Sequence, residues 1–227
     1  MFRIATVCTG NVCRSVLAEA VLKRDLPSDI FYVTSAGIRA TTGMAVPARQ
    51  ISTARKLGVS GLEEHTARAV SVDTLAGNDL ILGMSRGHRR RLLQLDTASA
   101  RRTFTLREFA RLAPLVTTEG VEQEMLRNHN PLRAAVAAVA LKRGLLPPPK
   151  KREDLDIVDP YLQSRRVYRQ SRDQLVPAAE TTATFLNLIV DLFGPGDVAK
   201  DDALEVPILE SSPTPRVAYP SRRDLHS

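Results

Sequence analysis

Cysteine is scarce in this chain of 227 residues: only Cys8 and Cys13 occur, and both fall in one stretch, VCTGNVCRSV at residues 7–16. That excludes a disulfide framework as a source of stability and, with no secretory signal in view, marks the pair as reactive rather than architectural. Long apolar runs are missing as well. The longest near a terminus, residues 4–8, is far too short to span a membrane or form a signal-peptide core, and no charged leader precedes it. A cytoplasmic protein without membrane contact is therefore expected. Aromatic residues make up 4% of the chain, and the basic residues sit in short scattered clusters such as Arg89-Arg90-Arg91 and Lys150-Lys151-Arg152. Such clusters read as solvated helix faces, and without stacking platforms nucleic acid is not an expected partner. A G-x-x-x-x-G-K-[ST] motif is absent, so ATP is not implied. His65, His88, His129 and His226 do not form a ligand-spaced cluster, so no metal or other cofactor is expected.

What is present suits a soluble protein: 43% of residues are hydrophobic and 25% charged, enough for one domain with room for extra segments. The net charge of +7 favours phosphorylated or otherwise anionic partners. Residues 2–7 are β-branched and apolar and read as a buried strand, and residues 16–23 have helical spacing. Residues 8–15 are thus a strand-to-helix turn, with Ser15 at the expected N-cap and Pro27 past the helix end. Further strands are expected at 30–35, 79–84 and 103–105, with helices at 47–57 and 87–95 between them. Alternation of this kind implies an α/β layered fold with a mostly parallel sheet, and ligands of such sheets sit beyond the carboxyl ends of the strands, where residues 8–15 fall. Residues 1–193 are expected to form a single domain. Within it, the alanine-rich stretch 110–152, ending in Pro147-Pro148-Pro149, reads as a helical insertion folded against the rest. Residues 165–192 are helical in pattern, with Pro177 expected to kink or divide them. Residues 194–227 read as a largely mobile tail.

A loop of about six residues between a strand and a helix N-terminus points backbone N–H groups inward, where the helix dipole adds partial positive charge. That is a site for a tetrahedral oxyanion. Arg14 adds a planar, bidentate grip that lysine does not match. Cys8 opens the loop, where the same positive field favours its thiolate, and a thiolate beneath a bound phosphate is a nucleophile. Cys-x5-Arg recurs by chance when alone; here it has a strand before it, a helix after it and serine directly following the arginine. The bland alternative is a pair of small buried cysteines at a βα turn.

Cys8-Thr9-Gly10-Asn11-Val12-Cys13-Arg14-Ser15 resembles the signature C-[LT]-G-N-[IVT]-C-R-S of the low-molecular-weight protein tyrosine phosphatases, in the bacterial type. The likeness continues through Ala18-Glu19-Ala20, Ser35-Ala36-Gly37, His65-Thr66-Ala67-Arg68, residues 79–84, Asp159-Pro160-Tyr161 and a terminal helix with Tyr168. It implies a four-stranded parallel sheet, doubly wound with helices on both faces, in a flavodoxin-like three-layer sandwich. It also implies hydrolysis of phosphotyrosine in proteins through a phosphocysteine, without a metal. Cys8 would attack, residues 9–15 with Arg14 would bind the phosphoryl group, and Asp159 would serve as general acid and then base. Asn11, Ser15, Ser35 and His65 match the residues that support the loop, and Ile38, Arg39 and Tyr161 match those that line the substrate pocket. Cys13 would form a reversible disulfide with Cys8, making the enzyme redox-sensitive. The implied partner is a phosphotyrosine-containing protein, with a bacterial tyrosine kinase or its substrates as candidates, and a monomer is expected.

Asp159 competes for the acid role with Asp154 and Asp156, since Asp before Pro is also an ordinary turn starter, and His65 has a plain alternative as a satisfied, partly buried histidine. The chain departs from the family in carrying Val16 where proline follows the serine, Ser85 where an aspartate follows Met84, and no aromatic in Ile38-Arg39-Ala40-Thr41. Three other functions share the loop: an arsenate reductase using an external small thiol, a protein arginine phosphatase, and a non-catalytic phosphopeptide-binding module. Arsenate reduction commonly needs further cysteines, arginine phosphatases carry threonine at the place of Val12, and the retained Cys8, Arg14 and Asp159 speak against a mere binder.

Overall fold

A computed structural model describes residues 1–196; residues 197–227, which hold most of the expected tail, lie outside the described residues. Strand β1 (Phe2–Cys8) sits in the middle of the sheet between β2 (Phe31–Gly37) and β3 (Leu80–Gly83), and β4 (Thr103–Thr105) flanks β3, giving the order β2-β1-β3-β4 with every pairing parallel. The period-2 alternation of a strand is visible in what each residue packs against. Phe2, Ile4 and Cys8 of β1 and Leu80 and Leu82 of β3 join one apolar cluster, while Ala5, Val7 and Ile81 join a second on the opposite face. Because β2 lies to one side of β1 and β3 to the other, the chain reverses its winding at the carboxyl end of β1. In an open α/β sheet that crevice is where ligands bind.

Helix α1 (Arg14–Asp25) leaves β1 directly and buries Val16, Leu17, Val21 and Leu22 in the larger cluster. Its N-cap is Cys13, and Ser15 lies inside the first turn. The capping expected of Ser15 does not occur, because its hydroxyl is directed at Cys8 instead. The helix ends at Leu26, whose extended backbone is what a following proline demands. Helices α2 (Ala48–Arg55), α3 (Val72–Ala76) and α4 (Arg86–Leu95) follow, with Leu75 of α3 and Leu92 of α4 covering the second face of the sheet. Helix α5 (Leu106–Leu112) starts from a capping box in which Thr105 Oγ1 accepts from Glu108 N–H at 3.0 Å and Glu108 accepts from Thr105 N–H at 3.1 Å.

The expected insertion forms helices α6 (Thr118–Asn128) and α7 (Pro131–Leu141). Helix α7 begins with proline after an Asn130 cap, and its residues are apolar nearly all round, as befits a helix enclosed by others. The last helix, α8 (Arg165–Phe193), runs unbroken through Pro177, against the expected kink or division. A proline inside a helix costs about 3 kcal/mol through a missing hydrogen bond and a ring clash. Here it is exposed, whereas Leu175, Ala178 and Ala179 beside it are buried in the main core against α1 and α5. Packing of that face holds the helix together. By length and composition α8 could also cross a membrane, but its apolar side is core, and Phe185 stacks edge-on against Phe109 at 5.9 Å.

Candidate active site

The turn from β1 into α1 is held by a single buried side chain, Asn11. It sits at φ 53°, a left-handed conformation that asparagine tolerates better than most residues, and this bend brings its own N–H to Cys8 Sγ at 3.3 Å. Its Nδ2 donates to Ser15 Oγ at 3.1 Å and to Ser35 Oγ at 2.8 Å, and its Oδ1 accepts from Arg68 N–H at 3.0 Å. Its carbonyl oxygen accepts from His65 Nε2 at 3.1 Å. Burial lowers the His65 pKa, with Glu19 and the bond to the Asn11 carbonyl opposing. Ser15 Oγ completes the set 3.0 Å from Cys8 Sγ. The structure thus brings together Asn11, Ser15, Ser35 and His65, four residues spread over 54 positions of chain; Asn11 and Ser15 reach the Cys8 sulfur, and Ser35 and His65 hold Asn11.

Parallel pairing supports the loop from the side. Cys8 lies in register with Gly37, and beyond the strand Ile38 and Arg39 donate their N–H groups to the carbonyls of Cys8 and Thr9, each at 2.9 Å. A Cβ on Gly37 would lie 2.7 Å from Thr9 O and 2.9 Å from Asn11 N, so the loop rests on bare backbone there.

Above the sulfur is a cavity of about 280 Å³, lined by Cys8, Gly10, Val12, Arg14, Asp159 and Tyr161 among others. Arg14 is only 6% exposed. One arm of its guanidinium donates to Ile157 O at 3.0 Å, another donates to Asp159, and its buried Nε–H has no partner. Orphaned buried donors are rare and costly, and this one belongs to a residue that lines the cavity. Asp159 is brought to Arg14 by a segment tied down at two points: Ile157 N–H donates to Met84 O, just past β3, at 2.9 Å, and Val158 N–H donates to Gln174 of α8, also at 2.9 Å. The carboxylate also accepts from Tyr161 N–H at 3.2 Å and is 48% exposed, at the mouth. The competing aspartates are elsewhere engaged. Asp156 accepts from the backbone and side chain of Arg86, and Asp154 accepts from Lys151 N–H at 3.1 Å.

Among the expected pocket residues, Arg39 and Tyr161 line this cavity, joined by Thr41 and Met44. Ile38 does not, because it packs against the second apolar cluster behind the loop. Both cysteines are free thiols. Cys13 faces Tyr168 Oη at 3.9 Å, and burial pushes its thiol up to about 12. It stays protonated.

Sequence reasoning missed His88. It is 4% exposed, with Nε2 2.9 Å from Thr9 Oγ1 and Nδ1 2.9 Å from Ser85 Oγ. Ser85 Oγ also caps α4 by accepting from His88 N–H at 3.2 Å. Ser85, which stands where the family has aspartate, therefore belongs to a tether that ties the residue after Cys8 to the start of α4. The only hint in the sequence is the Ser-x-x-His spacing at a helix start. Burial, followed by the nearby Arg14 charge, lowers the His88 pKa to about 4.

The sequence matches the family described as low molecular weight phosphotyrosine protein phosphatase over residues 3–119, a span that includes the loop and His65 but ends before Asp159. Among curated proteins it is 43% identical over 86 residues to the low molecular weight protein-tyrosine-phosphatase Wzb of Salmonella typhi, covering 38% of this chain and 56% of that one. It is 40% identical over 92 residues to Wzb of Escherichia coli K12, covering 40% and 60%. The alignments thus span less than two thirds of these relatives' own length. A solved structure of the YwlE arginine phosphatase from Geobacillus stearothermophilus superimposes with a TM-score of 0.61 over 85% of this chain and 97% of that one, at 23% identity, which is a likeness of fold. With half of the sequence matched, its sheet order and its strand-to-helix loop in agreement, the chain belongs to the low molecular weight phosphotyrosine protein phosphatase family.

Proposed function

We propose that the protein hydrolyses phosphotyrosine in proteins through a phosphocysteine intermediate. The observation that carries this reading is the convergence of Cys8, Arg14 and Asp159 on one cavity. The substrate's phosphate lies in the loop with Arg14 gripping two of its oxygens, one of them through the unpartnered Nε–H. A Cys8 thiolate accepts hydrogen bonds from Asn11 N–H and Ser15 Oγ, which hold it ready without a proton. Its sulfur attacks phosphorus, the bond from phosphorus to the tyrosyl oxygen breaks, and Asp159 gives that oxygen its proton. Water then attacks the phosphocysteine while Asp159 takes back a proton, releasing inorganic phosphate and the thiolate. Val12, which is buried with one side on the cavity, offers an apolar wall to a phenyl ring. The natural substrate is a phosphotyrosine-bearing protein of the cytoplasm.

The test is turnover of p-nitrophenyl phosphate and of a phosphotyrosine peptide. Cys8→Ser should abolish both. Asp159→Ala should lower the rate by about 10² to 10⁴, with less loss on p-nitrophenyl phosphate because its leaving group needs a proton less. Undiminished turnover by Cys8→Ser would sink the mechanism.

A further inference from the structure

Next to the catalytic cavity lies a second groove, of about 540 Å³, that shares Thr9 and Arg39 with it. One wall is α4, from which Gly87, Arg90, Arg91 and Gln94 face the groove. Their spacing of i, i+3, i+4 and i+7 is a single helix face. The opposite wall is Arg39, whose backbone is fixed by its N–H bond to Thr9 O at 2.9 Å. Three guanidinium groups therefore border a groove that has no carboxylate in its lining. None of the three joins an ion pair among the described residues; the nearby carboxylates are already committed, Asp159 to Arg14 and Asp156 to Arg86. Arg91 makes one neutral hydrogen bond, to Gln94 at 3.2 Å. Positive charge is thus concentrated, unneutralised, at the rim of a phosphate site, in a chain whose formal net charge is +7.

We infer that this groove recognises acidic side chains flanking the phosphotyrosine, so that the enzyme selects phosphopeptides with aspartate or glutamate beside the modified residue. An extended peptide advances ~3.3 to 3.6 Å per residue, so with the phosphotyrosine ring in the cavity the next few residues pass Arg39 and reach Arg90 and Arg91. Exposed charges of this kind steer and select more than they tighten. The inference rests on the phosphotyrosine reading and adds which sequences that activity prefers.

Two synthetic phosphotyrosine peptides test it, one with Asp and Glu on both sides of the phosphotyrosine and one with Asn and Gln in their place. They are assayed beside p-nitrophenyl phosphate, using wild type and the double variant Arg90→Glu/Arg91→Glu. At low salt wild type should favour the acidic peptide in kcat/KM by about five- to tenfold, and the ratio should shrink as salt screens the exposed charges. The double variant should lose or invert the preference while turning over p-nitrophenyl phosphate like wild type. Equal kcat/KM for the two peptides in wild type overturns the inference, as does a preference that survives in the variant or a variant that fails on p-nitrophenyl phosphate. Hydrolysis of p-nitrophenyl phosphate with neither peptide cleaved is a different failure: it removes the phosphotyrosine reading, and this inference with it.

Discussion

His88 shows how one buried side chain links the loop after β1 to the stability of the whole. Its pKa is lowered to about 4 by burial and by the Arg14 guanidinium, with Arg39 acting in the same sense and Asp159 and Asp156 opposing. In the unfolded chain a histidine titrates near ~6.5, so acid protonates the unfolded state first. The contribution is fully present above pH ~6.5, is lost progressively as the pH falls toward 4, and changes no further below that. Between pH 7 and pH 5 the loss should be about 2 kcal/mol. Urea unfolding at the two pH values measures it, and His88→Gln should flatten that part of the dependence; an unchanged difference in the variant would count against this account. Legibility in the sequence follows the same line. Cys8 and Ser15 could be read because they are partners seven positions apart, and Arg14 because it closes the same short loop, whereas Thr9 and His88 meet across 79 positions. Only the fold brings such pairs together.

Between elements, the contact that matters most is the end of β2 against the loop after β1. Gly37 is in register with Cys8, and its missing side chain is what lets Thr9 O and Asn11 N approach. Gly37→Ala places a methyl group at 2.7 Å from one backbone atom and 2.9 Å from another, so the loop itself must move. Overpacking of this kind costs about 1 to 3 kcal/mol, and displacement of a nucleophile by ~1 Å can cost on the order of 10²-fold in rate. We expect both in the variant, read by thermal unfolding and by kcat on p-nitrophenyl phosphate, and a wild-type kcat would refute it. The strands themselves were open to sequence reasoning, since apolar runs bounded by glycine and proline place them; β4 falls at the expected residues and β2 extends two beyond. Helix α8 was misjudged at Pro177 and α1 at Ser15. In each case local propensity gave way to a tertiary demand, core packing for the first and the Cys8 sulfur for the second.

For the molecule as a whole, the question is whether the segment carrying α6 and α7 is an ornament or part of the domain. Its amino-acid pattern gave helices but left their placement open, because an alanine-rich stretch suits any close helix packing. In the structure Leu132, Ala135, Val136 and Val139 of α7 belong to the same apolar cluster as Ile4 of β1, Leu22 of α1 and Leu175 of α8. Arg133 ties α7 to the start of β3 through Asp79 at 2.8 Å, and Arg143, past its end, donates to Thr103 O at 2.7 Å and lies over the Phe104 ring at 4.1 Å. A helix so joined has no separate core to unfold. Leu132 is fully buried, so Leu132→Ala leaves a cavity and should cost about 2 to 5 kcal/mol. That cost should appear as one transition shifted to lower urea, with tyrosine fluorescence and far-ultraviolet circular dichroism coinciding. Turnover of p-nitrophenyl phosphate at low temperature should be kept, since α7 supplies no residue to the catalytic cavity. Two separated transitions, the second at the wild-type midpoint, would instead make the segment an independent unit resting on a complete phosphatase domain.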